Sequence, residues 1–214
     1  MSAHDPKVLV LHSGGMDSTV CLPLAREQRR QPISLGVDYG QHHLIELEYA
    51  RQQCSRLGIP RREVRVSWTK GAHEIPLERT VHEIKSGRST AFLPGRNQLF
   101  LALAFAEAAG VGATEVWIGV NAVDYSGYPD CTADFINAFQ VTADKGLGSH
   151  IPLVTPLMTL GKPAIAELSA RLGLTATDTW SCYRPAIAST GITPCGKCDA
   201  CVLHAHAWSS LKQV

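Results

Sequence analysis

Apolar positions along the chain fall into short continuous runs separated by stretches with helical spacing. Lys7–His12 (Lys-Val-Leu-Val-Leu-His) is aliphatic on both faces, which predicts a buried strand rather than a half-solvated one. A helix is expected from about Thr19 to Arg29, and a second strand over Ile33–Asp38. Glu46 to Leu57 has helical spacing and is closed by Gly58 and Pro60. Glu63–Ser67 alternates like a strand. Thr69–Phe92 is polar and broken by Gly71, Pro76 and Gly87, so an excursion or lid is expected there. Asn97–Ala109 is apolar nearly all round, which predicts a helix buried on several sides. Glu115–Val120 is a fourth strand, Cys131–Ala143 and Pro163–Leu172 are further helices, and a short helix ends the chain. No internal repeat or low-complexity tract interrupts this order.

Strands alternating with helices imply an α/β fold: an open, mostly parallel, twisted sheet with helices on both faces. Residues 1–175 are expected to form this nucleotide-binding part, and 176–214 a small C-terminal segment packed on it. Ligands in such sheets bind beyond the carboxyl ends of the strands. That rule selects Ser13–Ser18, Asp38–His43 and Asn121–Asp130.

Composition narrows the classes. The chain has 214 residues, 45% hydrophobic and only 18% charged, enough for a sizeable core and unlike a disordered tail. Twenty basic residues against nineteen acidic ones leave a net charge of +1, so no global field draws it to nucleic acid or membrane. Arg26, Arg29, Arg30, Arg61, Arg62 and Arg65 offer a candidate basic patch; a solvated helix face explains them better. The longest apolar run, within Leu99–Ala106, is far too short for a membrane span. The start of the chain lacks the basic and apolar regions of a signal peptide, and a cytoplasmic location is expected.

Two clusters carry chemistry. Ser13-Gly14-Gly15-Met16-Asp17-Ser18-Thr19 joins the first strand to the first helix. Two glycines permit positive φ and close approach to a ligand, and N–H groups at a helix N-terminus attract anions. Near the other end, Cys195, Cys198 and Cys201 form C-x-x-C-x-x-C, with Cys182 upstream. Four thiolates suit a closed tetrahedral zinc site with a structural role, one ion per chain. An iron–sulfur cluster is the alternative, but the run continues Val-Leu-His-Ala rather than x-x-x-C-P. Gly191–Cys198 fits most of a Walker A pattern, yet no strand is expected before it, and Cys198 stands where a hydroxyl should hold magnesium. His204 and His206 are expected to be solvated or capping, while His42-His43 follow a strand end and keep a possible binding role. Phe100 and Phe105 are expected in the core.

The S-G-G-x-D-S string resembles the PP-loop of ATP pyrophosphatases, which cleave ATP between the α- and β-phosphates. Further segments extend the likeness: Asp38-Tyr-Gly-Gln-His42, Leu93-Pro-Gly-Arg-Asn97, Asp124-Tyr-Ser-Gly-Tyr-Pro-Asp-Cys131, Pro156–Lys162 and Thr179–Tyr183 before the cysteines. From about Val8 to Leu203 the chain resembles the 7-cyano-7-deazaguanine (preQ0) synthase family. The resemblance implies a ligase that adenylates 7-carboxy-7-deazaguanine with ATP and passes it to free ammonia. The resulting amide is then adenylated in turn and loses AMP to give a nitrile for queuosine biosynthesis.

It also implies site roles. Leu11, His12, Ser13, Gly14, Gly15, Met16, Asp17, Ser18 and Thr19 would hold ATP, with Asp17 facing the nucleotide or its Mg2+. Asp17, Arg96 and Lys162 would be catalytic. Tyr39, Gln41, Arg96, Asn97, Asp124, Tyr125 and Asp130 would bind the deazaguanine. The family likeness suggests a homodimer. The loop from Cys182 to Cys195 is long for the family, and His204 stands where an arginine is expected. Two alternatives therefore stay open: a paralogue that transfers the adenylated acid to a protein amine, and a tRNA-modifying PP-loop enzyme.

Overall fold

The computed structural model describes residues 5–40, 45–68, 77–85, 92–188 and 191–213. Along the chain these form β1 (Lys7–Leu11), α1 (Met16–Glu27), β2 (Gln31–Asp38), α2 (Ile45–Leu57), β3 (Arg61–Arg65), α3 (Val81–Lys85) and α4 (Arg96–Val111). There follow β4 (Glu115–Trp117), α5 (Ala122–Gly127), α6 (Ala133–Leu147), β5 (Leu153–Val154), α7 (Lys162–Arg171), β6 (Ala186–Ala188), β7 (Gly191–Thr193) and α8 (Asp199–Ser209). β1 to β5 make one parallel sheet in the order β3-β2-β1-β4-β5.

Alternation along β1 sends successive side chains to opposite faces. Val8 and Val10 join a core with Val20, Cys21 and Leu24 of α1, Ile165 of α7 and Ala207 of α8. Leu9 and Leu11 join the other, with Leu101 and Phe105 of α4 and Ile136 of α6. Val8, Leu9 and Val10 are fully buried, each stabilising the fold by roughly 1.5–3 kcal/mol. Both faces are therefore covered by helices, which explains why β1 is apolar throughout.

The first crossover runs from β1 to β2 and the later one from β4 to β5, toward opposite edges of the sheet. Their chains part between β1 and β4, paired as Val8–Glu115, Leu9–Val116 and Val10–Trp117. That divergence opens a crevice at the carboxyl ends of the two strands.

Several expectations are corrected. α4 buries Asn97, Leu101, Ala104, Phe105 and Ala108 on one face, whereas Gln98, Ala102, Ala106 and Ala109 are exposed. Its outer side is alanine, apolar in composition but small, so one-sided burial suffices. The fourth strand runs only to Trp117, although Ile118 N–H still donates to Val154 O at 3.0 Å, and Gly119 beyond it lies close against Asp17 at the start of α1. Asn121–Asp130 is not an open loop: it holds α5 and a 3-10 turn over Pro129–Cys131. Thr132 then caps α6 by accepting from Phe135 N–H, so that helix begins after Cys131. Within Arg184–Pro194, β6 and β7 form an antiparallel hairpin, which also accounts for the Walker-like glycine.

Most of the excursion at 69–92 lies outside the described residues. Residues 77–85 pack on the C-terminal segment: Leu77 bridges to Cys198, Glu78 N–H donates to Lys197 O, and Arg79 pairs with Asp199. Arg61, Arg62 and Arg65 lie on β3 rather than on a helix face, and four of the six arginines considered for a basic patch are ion-paired. Arg30 meets Glu115 at 2.9 Å, Arg62 meets Glu107 at 2.5 Å, Arg65 meets Asp38 at 2.9 Å and Arg61 meets Glu63 at 2.8 Å. No helix among the described residues is long and apolar enough to cross a membrane.

Candidate active site

The turn from β1 into α1 is closed by its own hydroxyls. Ser18 Oγ accepts from Ser13 N–H (3.2 Å) and lies 3.1 Å from Ser13 Oγ and from Gly15 O. Gly14 has φ of +100°, and a Cβ there would meet Glu46 O of α2 at 2.3 Å, so only glycine fits. A second glycine fits for a similar reason: a Cβ on Gly119 would lie 2.8 Å from Asp17 O. The end of β4 thus rests directly on the start of α1.

Four polar side chains converge at this junction. Lys162, from the start of α7, places Nζ 2.5 Å from Asp17 Oδ2. Asn121 Nδ2 donates to Asp17 Oδ2 at 3.2 Å and to Asp124 Oδ2 at 2.6 Å. Asn121 is fully buried and also caps α5, accepting from the N–H groups of Val123 and Asp124. Burial pushes the Asp124 carboxyl up to about 6; Lys162 opposes that shift and the Asp17 charge adds to it. Lys162 is held above its ordinary value because Asp17 and Asp124 outweigh the cost of burying it. Asp17 Oδ1 is buried without a hydrogen-bond partner, an acceptor left for a ligand cation or donor.

A cavity of about 510 Å³ extends from this junction, a size suited to a nucleotide-sized ligand. Ser13, Gly15, Asp17 and Ser18 line it at one side, with Tyr39, Arg96, Asn97, Tyr128 and Tyr183 elsewhere on the wall. Arg96 opens α4 behind Gly95, whose φ of +79° makes the tight entry. Burial alone would favour a neutral guanidine, but Tyr39, Tyr183, Tyr128 and Asp130 keep Arg96 firmly charged. Glu46 also lines the cavity, its carboxyl pushed up to about 7 by burial against the pull of Arg96. Tyr39 packs against Phe100 and Trp68, with ring centroids 5.3 and 5.8 Å away.

The cysteine cluster closes the far side. The sulfurs of Cys182, Cys195, Cys198 and Cys201 all lie within 4.8 Å of one another. Backbone N–H groups point at them: Arg184 and Cys195 donate to Cys182 Sγ at 3.3 Å, and Lys197 and Cys198 to Cys195 Sγ at 3.4 Å. Hydrogen bonding from Cys201 leads in pulling the Cys198 thiol down to about 5. The convergence of four sulfurs and the donated N–H groups suit a metal ion. Cys21 sits instead in the core under β1.

Most expected site residues meet at the cavity, and some do not. Thr19 is fully buried and its hydroxyl donates to Gly15 O at 2.7 Å, so it shapes the loop rather than facing a phosphate. His12 borders the cavity, but its ring, 2% exposed, turns toward Ser34 and Gln53 beneath the loop. Asp130 does not line the cavity: it is 6% exposed and accepts from Asn97 N–H at 3.3 Å, capping α4 beside Arg96. Phe100 packs against the core and also lines the cavity, and Phe105 is buried as expected. Gln41, His42 and His43 lie outside the described residues, and Tyr125 is described only by its place in α5. Lys162 lines the cavity, with only 11% of its side chain exposed. His204 lines the cavity with Nε2 3.4 Å from Thr179 Oγ1, while His206 is exposed. Sequence reasoning placed Asn121 and Tyr128 in the segment after the fourth strand without giving either a role, and it missed Glu46 and Gln53, which carried no local signal.

A parallel sheet with a glycine-hydroxyl loop at its switch point, facing a lysine and a pair of carboxylates bridged by Asn121, defines a PP-loop nucleotide-binding protein of the ATPase type. The fold has a match in the NMN synthetase of Francisella tularensis, with a TM-score of 0.50, 18% identity, and coverage of 81% of this chain and 64% of that one. The model of the family described as queuosine biosynthesis protein QueC matches residues 7–212. A 7-cyano-7-deazaguanine synthase 2 of Rhodopseudomonas palustris is 52% identical over 96% of this chain and 98% of its own. The 7-cyano-7-deazaguanine synthase of Myxococcus xanthus is 40% identical over 92% and 90%. The chain belongs to the QueC family of queuosine biosynthesis proteins.

Proposed function

We propose that this chain is an ATP-dependent ligase that converts 7-carboxy-7-deazaguanine and ammonia to 7-cyano-7-deazaguanine. The observation that carries the reading is the apposition of the phosphate loop with Asp17, Lys162 and Asp124 on the wall of one cavity, tied together by the buried Asn121. Relatives bearing the synthase name along their whole length support the choice of substrate.

Each residue then has a task. Gly15 N–H and the Ser13 and Ser18 hydroxyls, at the positive end of α1, receive the ATP phosphates. Lys162 supplies a fixed positive charge where pyrophosphate departs. Arg96 faces the anionic oxygens that join acid and α-phosphate. Tyr39 and Phe100 offer aromatic faces to a flat heterocycle, and Asp124 accepts from its N–H donors. The acid oxygen attacks the α-phosphate and pyrophosphate leaves; ammonia then displaces AMP from the carbonyl. The amide oxygen is activated the same way, and its departure with AMP leaves the nitrile. Carboxylate and amide oxygens are poor leaving groups, and adenylation makes each a good one.

Mg2+ fits beside Asp17 Oδ1, the buried acceptor without a partner, where it would neutralise phosphate charge. Zinc fits the four thiolates. Tetrahedral Zn–S bonds of about 2.3 Å set sulfurs roughly 3.8 Å apart, and Cys195 and Cys201 are separated by 3.9 Å. The cysteines of a four-iron cluster sit farther apart. Zinc there would tie the segment after Thr179 to α8 and supply folding energy, not chemistry. A cytoplasmic homodimer belongs to the same reading. The tRNA-modifying alternative loses its basic patch to ion pairs. Mass spectrometry of a reaction with the acid, ATP and ammonium tests the proposal: a nitrile is expected, and its absence at every ammonium concentration contradicts it.

A further inference from the structure

Beneath the phosphate loop lies a buried polar network that the chemistry above does not use. Gln53, on α2, is 3% exposed. Its amide nitrogen is 3.0 Å from Gly14 O and 2.6 Å from Asp178 O, both carbonyls. An NH2 group has two hydrogens, and these two acceptors take both. The amide orientation is thereby fixed, and Gln53 Oε1 must face His12 Nε2, 2.8 Å away. A carbonyl oxygen only accepts, so Nε2 carries the imidazole hydrogen. Nδ1 is then the acceptor, with Ser34 Oγ at 2.9 Å and Arg61 at 3.3 Å. Burial and the Arg61 charge keep the ring neutral, holding its pKa down to about 3.

The target of this network is one peptide unit. Gly14 O accepts from Gln53 and from Trp180 N–H at 3.0 Å. Because the Gly14–Gly15 peptide is planar and trans, a carbonyl turned inward turns the Gly15 N–H outward, where it meets the Ser13 hydroxyl at 3.3 Å on the wall of the cavity that both residues line. Flanked by two glycines, this peptide can flip at little steric cost. A flip would present a carbonyl oxygen to an anion.

We propose that Gln53 is a positioning residue that holds the Gly14–Gly15 peptide with its N–H toward the nucleotide phosphates, and that His12 holds the Gln53 amide in the orientation this needs. The inference rests on the ATP-binding reading above. It also couples the phosphate loop to Asp178 and Trp180, the approach to the cysteine cluster.

The test is binding of α,β-methylene-ATP by calorimetry to the full-length protein and to Gln53→Met, which keeps the side-chain length but lacks both donors. An increase in Kd of about tenfold (~1.4 kcal/mol) is expected, with the KM for the acid unchanged. Gln53→Glu, which keeps the acceptor for His12 but sets an anionic oxygen against Gly14 O, should lose at least as much. A folded variant whose Kd stays within about twofold of wild type overturns the proposal, as does a loss shared equally by the acid, which marks a general structural role. A second readout needs no variant: 15N NMR of His12 should show a neutral ring protonated at Nε2 across neutral pH. A ring protonated at Nδ1, or one that titrates there, overturns the lock even if ATP binds. Wild-type protein that fails to bind the analogue contradicts the ATP reading instead.

Discussion

Replacing Lys162 with methionine removes a charge and little volume, which makes Lys162→Met a clean probe of the junction between β1 and β4. At an Nζ–Oδ2 distance of 2.5 Å, an effective dielectric of about 20 gives a direct attraction on the order of 6–7 kcal/mol. Desolvation of both groups cancels much of that, and breaking one side of a buried pair costs about 3–5 kcal/mol. Asp17 keeps 23% of its side chain exposed and can regain some water, so the lower end, about 3 kcal/mol, is expected in urea unfolding. The catalytic effect is larger in kind. A fixed cation aimed at departing pyrophosphate is worth roughly 10²–10³ in rate. ATP–pyrophosphate exchange in the presence of the acid should fall by that factor while the fold survives. The pH profile adds a signed check. Burial raises the Asp124 carboxyl to about 6 even with the Lys162 charge pulling it down. Without the lysine that value rises further, so if ionised Asp124 is needed, the acidic limb of the exchange profile moves to higher pH. Exchange within about twofold of wild type, unchanged stability and an unmoved limb would refute the role given to Lys162.

Three further outcomes follow from the geometry. Gly119→Ala puts a Cβ 2.8 Å from the Asp17 carbonyl oxygen; it should cost about 1–3 kcal/mol and weaken ATP binding, and unaltered affinity in calorimetry would show that the loop tolerates the shift. Asp130→Ala removes the acceptor under the Asn97 N–H, so it should raise the KM for the acid through a loosened Arg96 while the KM for ATP holds; equal change in both speaks against that division. Cys198→Ser should lose the metal and aggregate, with activity tracking folded protein, whereas Cys21→Ser keeps full metal. Elemental analysis finding iron in stoichiometric amount, or full zinc in Cys198→Ser, would overturn the zinc assignment.

Where local chemistry dictated the structure, it was readable in the chain. The aliphatic run before Ser13-Gly-Gly and the glycine spacing made β1 and the phosphate loop legible, because burial on two faces and positive φ leave few other sequences possible. The four cysteines were legible for a similar reason: ligand spacing is itself the signal. Short elements were not. β5 has two residues, and α5 has six, including a serine and a terminal glycine, too few for any period to show. Long-range pairing was invisible as well. Nothing local tells Lys162 that it will meet Asp17, or that Asp130 will cap α4 instead of facing a ligand. His12 looked like part of the cradle because it adjoins the loop, but strand alternation turned its ring inward to Gln53.

Oxygen transfer tests the central claim most directly. With both carboxylate oxygens of 7-carboxy-7-deazaguanine labelled with 18O, each adenylation carries one labelled oxygen into AMP. Mass spectrometry should find two AMP for each nitrile, each bearing one 18O, and a nitrile free of label. Unlabelled AMP, or a single labelled AMP with the reaction stopped at a labelled amide or a conjugate, would contradict an enzyme that activates both acid and amide.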